Sequence, residues 1–207
     1  MGYTTRDQWH QHYADGRSFR PLIEPERRFL ADRLPARPGA RALDVGCGTG
    51  ELACYLHALG YSVLGIDYAP SAIDASRQAA AGLGAGIIFR LLDIEAPGPY
   101  FRPDPGFDLV TCRLSYAFLR DRDAFHHRVR RLLRPGGALC VMTQLVQHVP
   151  PHRRDIALDG REVKALTEAW GEVEESDTDR MTPLLLRHPR PAHAREASRV
   201  QPEEGTA

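Results

Sequence analysis

The segment Ala42-Leu43-Asp44-Val45-Gly46-Cys47-Gly48-Thr49-Gly50-Glu51 limits what this chain can fold into more than any other. An apolar, strand-like run passes without a break into three glycines at alternate positions. Glycine tolerates a positive φ and lets a ligand approach the backbone closely. The residues that follow, Glu51 to Leu59, have helical spacing, and Gly60 is a natural C-cap. A strand, a glycine turn and a helix pointing its N-terminus back at the turn form a seat for the polar end of a nucleotide-like molecule. The spacing is GxGxG, not the GxGxxG of dinucleotide enzymes, because Glu51 stands where the third dinucleotide glycine would be.

The rest of the chain repeats this alternation. A helix is predicted over residues 25–34, with Pro25 in its first turn, and the first strand over 41–45. Strands follow at 62–66, 86–92, 107–112 and 138–145, separated by helices at 71–81 and 122–133. A helix at 159–170 and two last strands, near Val173 and Leu184 to Leu186, complete the series. Pro97, Pro99, Pro103 and Pro105 require a loop. Such alternation predicts a doubly wound, Rossmann-like α/β fold with seven strands, the last antiparallel to the rest. The expected organisation is an N-terminal helix and loop over 1–24, the domain proper over 25–187, and a disordered tail over 188–207, where Pro, Ala and charge replace large apolar residues.

Composition excludes several classes of function. Lys+Arg and Asp+Glu are equal at 27 each, so no global field draws in nucleic acid or an anionic membrane. Lys164 is the single lysine, a bias toward Arg that reads as a GC-rich, bacterial genome. Cys47, Cys54, Cys112 and Cys140 lack the spacing of a disulfide framework or a zinc site, so no metal is expected. No run of about 18 apolar residues exists, and the start MGYTTRDQWHQHY has no apolar leader core. A cytoplasmic protein is expected.

Two acids end strands at the side where ligands of such sheets bind. Asp67 closes the run Val63-Leu64-Gly65-Ile66 and can accept both hydroxyls of a ribose. Asp93 closes Leu91-Leu92 and can accept from an exocyclic amine, while Ile94 can cover an aromatic base.

Taken in order, these motifs resemble those of class I S-adenosylmethionine (SAM)-dependent methyltransferases. Phe107-Asp108-Leu109-Val110-Thr111-Cys112 resembles that family's fourth strand, and Leu132-Leu133-Arg134-Pro135-Gly136-Gly137-Ala138-Leu139 its turn into the fifth. The resemblance covers about residues 25 to 187. It implies SAM as cofactor and a contact set of Asp44, Gly46, Cys47, Gly48, Gly50, Asp67, Tyr68, Asp93, Ile94 and Arg113. The start Trp9-x3-Tyr13-x-Asp15-Gly16-Arg17, with Phe19, faintly resembles thiopurine methyltransferase-like proteins, whose N-terminal aromatic segment packs over the cofactor. That adds Trp9 and Tyr13 to the contact set.

Methyl transfer from SAM is an in-line displacement that asks mainly for positioning and exclusion of water. No catalytic residue is singled out. His148 and His152, in a loop after the fifth strand, are candidates for a base, whereas His126 and His127 are expected on a helix surface. Arg122, Arg128, Arg130, Arg131 and Arg134 are expected to form a solvated face. The short decorations around the core favour a small-molecule acceptor and a monomer or homodimer. The alternatives are a non-catalytic SAM-binding regulatory protein and an NAD-dependent oxidoreductase.

Overall fold

The computed structural model describes residues 5–96 and 106–190. In chain order they form α1 (Arg6–Ala14), α2 (Glu24–Arg33), β1 (Arg41–Val45), α3 (Glu51–Ala58), β2 (Ser62–Asp67), α4 (Pro70–Ala79), β3 (Ile87–Leu91), β4 (Phe107–Arg113), α5 (Arg122–Leu132), β5 (Leu133–Thr143), α6 (Gly160–Thr167), β6 (Trp170–Glu175) and β7 (Thr182–Pro189). The four-proline stretch lies outside the described residues, as does residue 191 onward of the expected tail.

The seven strands make one sheet in the order β3-β2-β1-β4-β5-β7-β6. β1 to β5 pair in parallel, and β7 runs antiparallel to both of its neighbours. Strand order reverses between β1 and β4, which opens a crevice at their carboxyl ends.

Strand periodicity divides the core in two. Leu43 and Val45 of β1, Val110 and Cys112 of β4, and Leu139 and Val141 of β5 share one face with Phe125, Val129 and Leu132 of α5. Ala42, Leu109, Cys140 and Met142 share the other with Leu30 of α2, Leu56 of α3 and Ile73 of α4. Asp44 sits between Leu43 and Val45, so its carboxylate points to the second face, opposite Thr111 in the register.

Five local expectations are corrected. The Arg134–Gly137 turn is a bulge inside β5: Phe107 pairs with Leu133, and Leu109 next pairs with Ala138. Gly136, at φ 79°, takes the conformation that other residues resist. Trp170 starts β6 instead of ending a helix, because its buried ring belongs to the α5 side of the core and its backbone pairs with Pro189. That pairing carries β7 two residues past the expected start of the tail. His126 is buried at 3% exposure, its Nε2 2.9 Å from the Tyr116 hydroxyl. The arginines of α5 and its exit are ties more than a solvated face: Arg122 pairs with Glu162, Arg134 with Asp108, Arg128 donates to the Ile94 and Ala96 carbonyls and Arg130 to that of Ala169.

Candidate functional site

The glycine turn after β1 is built by backbone geometry. Gly46, Gly48 and Gly50 have φ of 67°, 52° and 85°, all in the left-handed region. The amides of Gly46 and Cys47 both donate to the Ile66 carbonyl, at 2.9 and 3.0 Å, which binds the turn to the end of β2. Space is short as well. A Cβ on Gly46 would lie 2.6 Å from the Ser115 Cβ, one on Gly48 2.9 Å from the Tyr13 hydroxyl, and one on Gly50 2.9 Å from Phe89 and Ser76.

Asp67 is 5% exposed and braces the same turn. One carboxylate oxygen accepts from the Gly48 amide at 3.0 Å and the other from the Ala69 amide at 2.9 Å. A carboxylate offers about four lone-pair positions, so a ligand donor can still be accepted here. Burial raises its pKa, and those amides oppose the shift. Asp93 accepts from the Glu95 amide at 2.8 Å and faces Arg120 at 3.8 Å.

Asp44 is the most unusual group. It is 2% exposed, and its Oδ1 accepts from the Thr111 hydroxyl at 2.7 Å. Its Oδ2 has no hydrogen-bond partner. Burial pushes its carboxyl up to about 7. A buried carboxylate oxygen without a donor is costly unless a ligand or water supplies one. Asp44 lines a small cavity of about 60 Å³ with Cys47, Glu51 and Arg113.

The main cavity, about 380 Å³, lies at the carboxyl ends of β1 to β4 and is lined by Gly46, Asp67, Tyr68, Asp93 and Ile94. Its other wall is α1 and the strap after it, through Trp9, Tyr13 and Phe19, closed by Phe118. Burial raises the pKa of both tyrosines, that of Tyr68 to about 12. Of the twelve expected contact residues, Asp44 and Cys47 line only the small cavity, while Gly48 and Gly50 form the turn behind it. Arg113 lines both cavities, but its guanidinium is engaged by Glu26 and by the Arg20 and Pro21 carbonyls. His148 and His152 are exposed and line neither cavity.

Sequence reasoning missed Arg6, Ser115, Phe118 and Arg120, which also line the main cavity. Arg6 opens α1, and the other three lie in the connection between β4 and α5, which has no periodicity to read. Leu114, beside them, holds φ at 57°, a left-handed conformation that is unusual without glycine and often found near functional sites.

The methyltransferase-domain family profile matches residues 43–141, the part of the chain that supplies β1 to β5 and every strand-end acid above. That matched stretch, just under half of the chain, is similar to the class I SAM-dependent methyltransferases. Among its relatives, nocamycin O-methyltransferase of Saccharothrix syringae is 35% identical over 172 residues, which is 81% of this chain and 60% of that protein. A ubiquinone biosynthesis O-methyltransferase of Xanthomonas campestris pv. campestris is 35% identical over 133 residues, 63% of this chain and 54% of that protein. The chain thus spans little more than half the length of these relatives. Two solved structures share the fold. The PH0226 protein of Pyrococcus horikoshii has TM-score 0.68 at 19% identity, covering 91% of this chain and 95% of that one. The N-methyltransferase NodS of Bradyrhizobium japonicum, in complex with S-adenosylhomocysteine, has TM-score 0.65 at 22% identity, covering 90% and 100%.

The superfamily's cofactor fits the residues present. SAM carries an ammonium, a ribose diol and an adenine. The strand ends offer a buried acid with a donorless oxygen, a second acid with spare lone pairs, and a third beside a buried isoleucine. The glycine turn leaves a cradle that any Cβ would fill.

Proposed function

We propose that this protein is a methyltransferase that moves the methyl group of SAM to a small molecule held between the strand ends and α1. The observation that carries this is one cavity with two unlike walls, strand-end acids on one side and Trp9, Phe19 and Phe118 on the other. When bound, SAM supplies a methyl group activated by its sulfonium. The chain's residues then have to bind, orient and exclude water. Asp44, across the small cavity with Cys47, faces the ammonium. Gly46, Gly48 and Gly50 let the backbone approach. Asp67, with Tyr68 beside it, takes the ribose hydroxyls, and Asp93 and Ile94 take the adenine. Trp9 and Tyr13 bring residues 1–24 over the cofactor as a cover, and Arg113 holds that cover in register by gripping the strap carbonyls. The domain proper is 25–187.

A small acceptor is supported by two relatives, a nocamycin O-methyltransferase and a ubiquinone biosynthesis O-methyltransferase. No described helix is long and apolar enough to cross a membrane. We read the protein as a bacterial cytoplasmic enzyme, monomeric or homodimeric, on its Arg-rich composition and balanced charge. The test uses SAM labelled in the methyl group and a small-molecule extract. The label should enter a low-molecular-weight product, and Asp67→Ala should lower the rate. Label found only in protein or nucleic acid, or none transferred, would defeat the proposal.

A further inference from the structure

We propose that Asp44 holds a proton in the ligand-free protein and gives it up when the cofactor's α-ammonium arrives, so that the site recognises SAM and S-adenosylhomocysteine by exchanging one proton for one ammonium. This rests on the methyltransferase reading above. Three observations around the small cavity carry it.

The first is a shortage of donors. Two buried acids serve the same turn and are provided for differently. Asp67 accepts one backbone amide on each oxygen. Asp44 accepts the Thr111 hydroxyl on Oδ1, and its Oδ2 has no hydrogen-bond partner among the described residues. A carboxylate taken out of water needs donors on both oxygens. Protonated, Oδ2 is itself a donor, and the group carries no charge.

The second is charge. Arg113, at the end of β4, and Arg20, on the strap, are the cations among the described residues lining the small cavity. Arg113 is held at two points by Glu26 of α2, and Arg20 donates to the Asp179 carbonyl. The other ionised groups nearby are acids: Glu51 at the start of α3, tied to the Leu22 amide and Arg27, and Asp67 at the end of β2. Burial raises the Cys47, Cys54, Cys112 and Cys140 thiols and the Tyr13 phenol of α1, so all five stay neutral. Burial, with the Asp67 charge added to it, carries the Asp44 carboxyl up to about 7 against the help of Thr111, Arg113 and the Ala53 amide.

The third is place. The small cavity, about 60 Å³, adjoins the main one, since Tyr13, Phe19, Gly46 and Arg113 line both. An ammonium is a compact cation with three donors. It fits beside Asp44 while the nucleoside lies against Asp67 and Asp93.

The exchange balances. The Asp44 carboxyl loses its proton to solvent, and the carboxylate accepts from an N–H of the ammonium. No bond of the ligand breaks, and its amino group, which titrates near about 8, stays charged below neutral pH. A positive neighbour lowers a carboxyl pKa by about 1–3. Binding that releases a proton tightens as pH rises, here up to about 7, and levels off above.

Calorimetry with S-adenosylhomocysteine in buffers of different ionisation enthalpy counts the protons released. The intact protein should release about 0.8 proton per site at about pH 6, and Kd should weaken about 5- to 10-fold from about pH 7.5 to about pH 6. 5′-Methylthioadenosine, the thionucleoside without the amino acid, should release none and bind equally at both. Asp44→Asn should release none with either ligand. Thr111→Val removes a donor to the ionised form and should move the midpoint of the affinity curve to higher pH. The 5′-methylthioadenosine comparison uses the intact chain and so decides even if Asp44→Asn does not fold. A heat of binding that is the same in every buffer overturns the inference. So does proton release that survives in Asp44→Asn, or that 5′-methylthioadenosine reproduces. Failure of S-adenosylhomocysteine itself to bind would count against the methyltransferase reading, whereas binding without proton release overturns the exchange alone.

Discussion

Arg113, the last residue of β4, and Glu26 of α2 form a two-point buried ion pair. Nε lies 3.1 Å from one carboxylate oxygen and Nη2 3.0 Å from the other, with the side chains 10% and 0% exposed. The same guanidinium donates to the Arg20 and Pro21 carbonyls, and Glu26 also accepts from the Ile23 amide. One pair thus fixes the strap that brings Phe19 to the cavity.

Removing one partner leaves the other charge buried and alone. Arg113→Ala should lower unfolding free energy in urea by about 3–5 kcal/mol. Arg113→Lys keeps the charge but not the fork and should cost less. An Arg113→Ala protein of normal stability that had lost only SAM affinity would instead assign this arginine to the ligand.

Asp44 makes the stability of the ligand-free protein depend on pH. Burial holds its carboxyl at about 7, well above the ordinary carboxylate value, so the folded state holds the proton more tightly than the unfolded chain. Its contribution is complete below the unfolded pKa and is lost as pH rises through about 7. Asp67 is shifted in the same direction. The melting temperature should fall between about pH 4 and about pH 7, and Asp44→Asn should flatten that fall. Parallel curves for the two proteins would show that Asp44 is ionised throughout.

Asp67 braces the glycine turn, and the proposed contact with the ribose separates from that role in measurement. Asp67→Ala strips the partners from the Gly48 and Ala69 amides and should lower stability by about 1–3 kcal/mol. It should also weaken SAM binding by about 2–4 kcal/mol, roughly 30- to 1,000-fold. Asp67→Asn keeps one acceptor oxygen and should cost less on both counts. Lowered stability with unchanged affinity would leave Asp67 as a brace of the turn only.

The strands were legible because each repeats apolar residues in a run or at alternate positions, and β1 begins and ends where the sequence predicts. The glycine turn and the acids after β2 and β3 were legible for a different reason: few backbones need three glycines at alternate positions, and few strands end on an isolated acid. Arg6, Phe118 and Arg120 were not legible, since nothing in their local pattern tells which cavity they face. Arg113 illustrates the limit. It lies at the cavity, yet its partner is Glu26, 87 residues away, and only folding brings the two together. His126 was misread because a helix of many arginines reads as exposed, whereas Tyr116 and Trp170 close over that position.

Gly46 tests the cradle apart from any charge. Gly46→Ala sets a Cβ 2.6 Å from the Ser115 Cβ at a φ of 67°. It should destabilise the protein and weaken SAM binding. Adding Ser115→Gly should recover part of the stability by removing the clash, but not the backbone strain of about 1–2 kcal/mol. Full recovery would mean that φ at this position is free to relax.

The central claim, that the strand-end cavity is a SAM site, is met most directly by calorimetry on the unmodified protein with SAM, S-adenosylhomocysteine and NAD. SAM and S-adenosylhomocysteine should each bind at one site per chain, with heats that disappear or weaken sharply in Asp67→Ala, and NAD should give none. Saturable NAD binding with no response to SAM would contradict the account at its root.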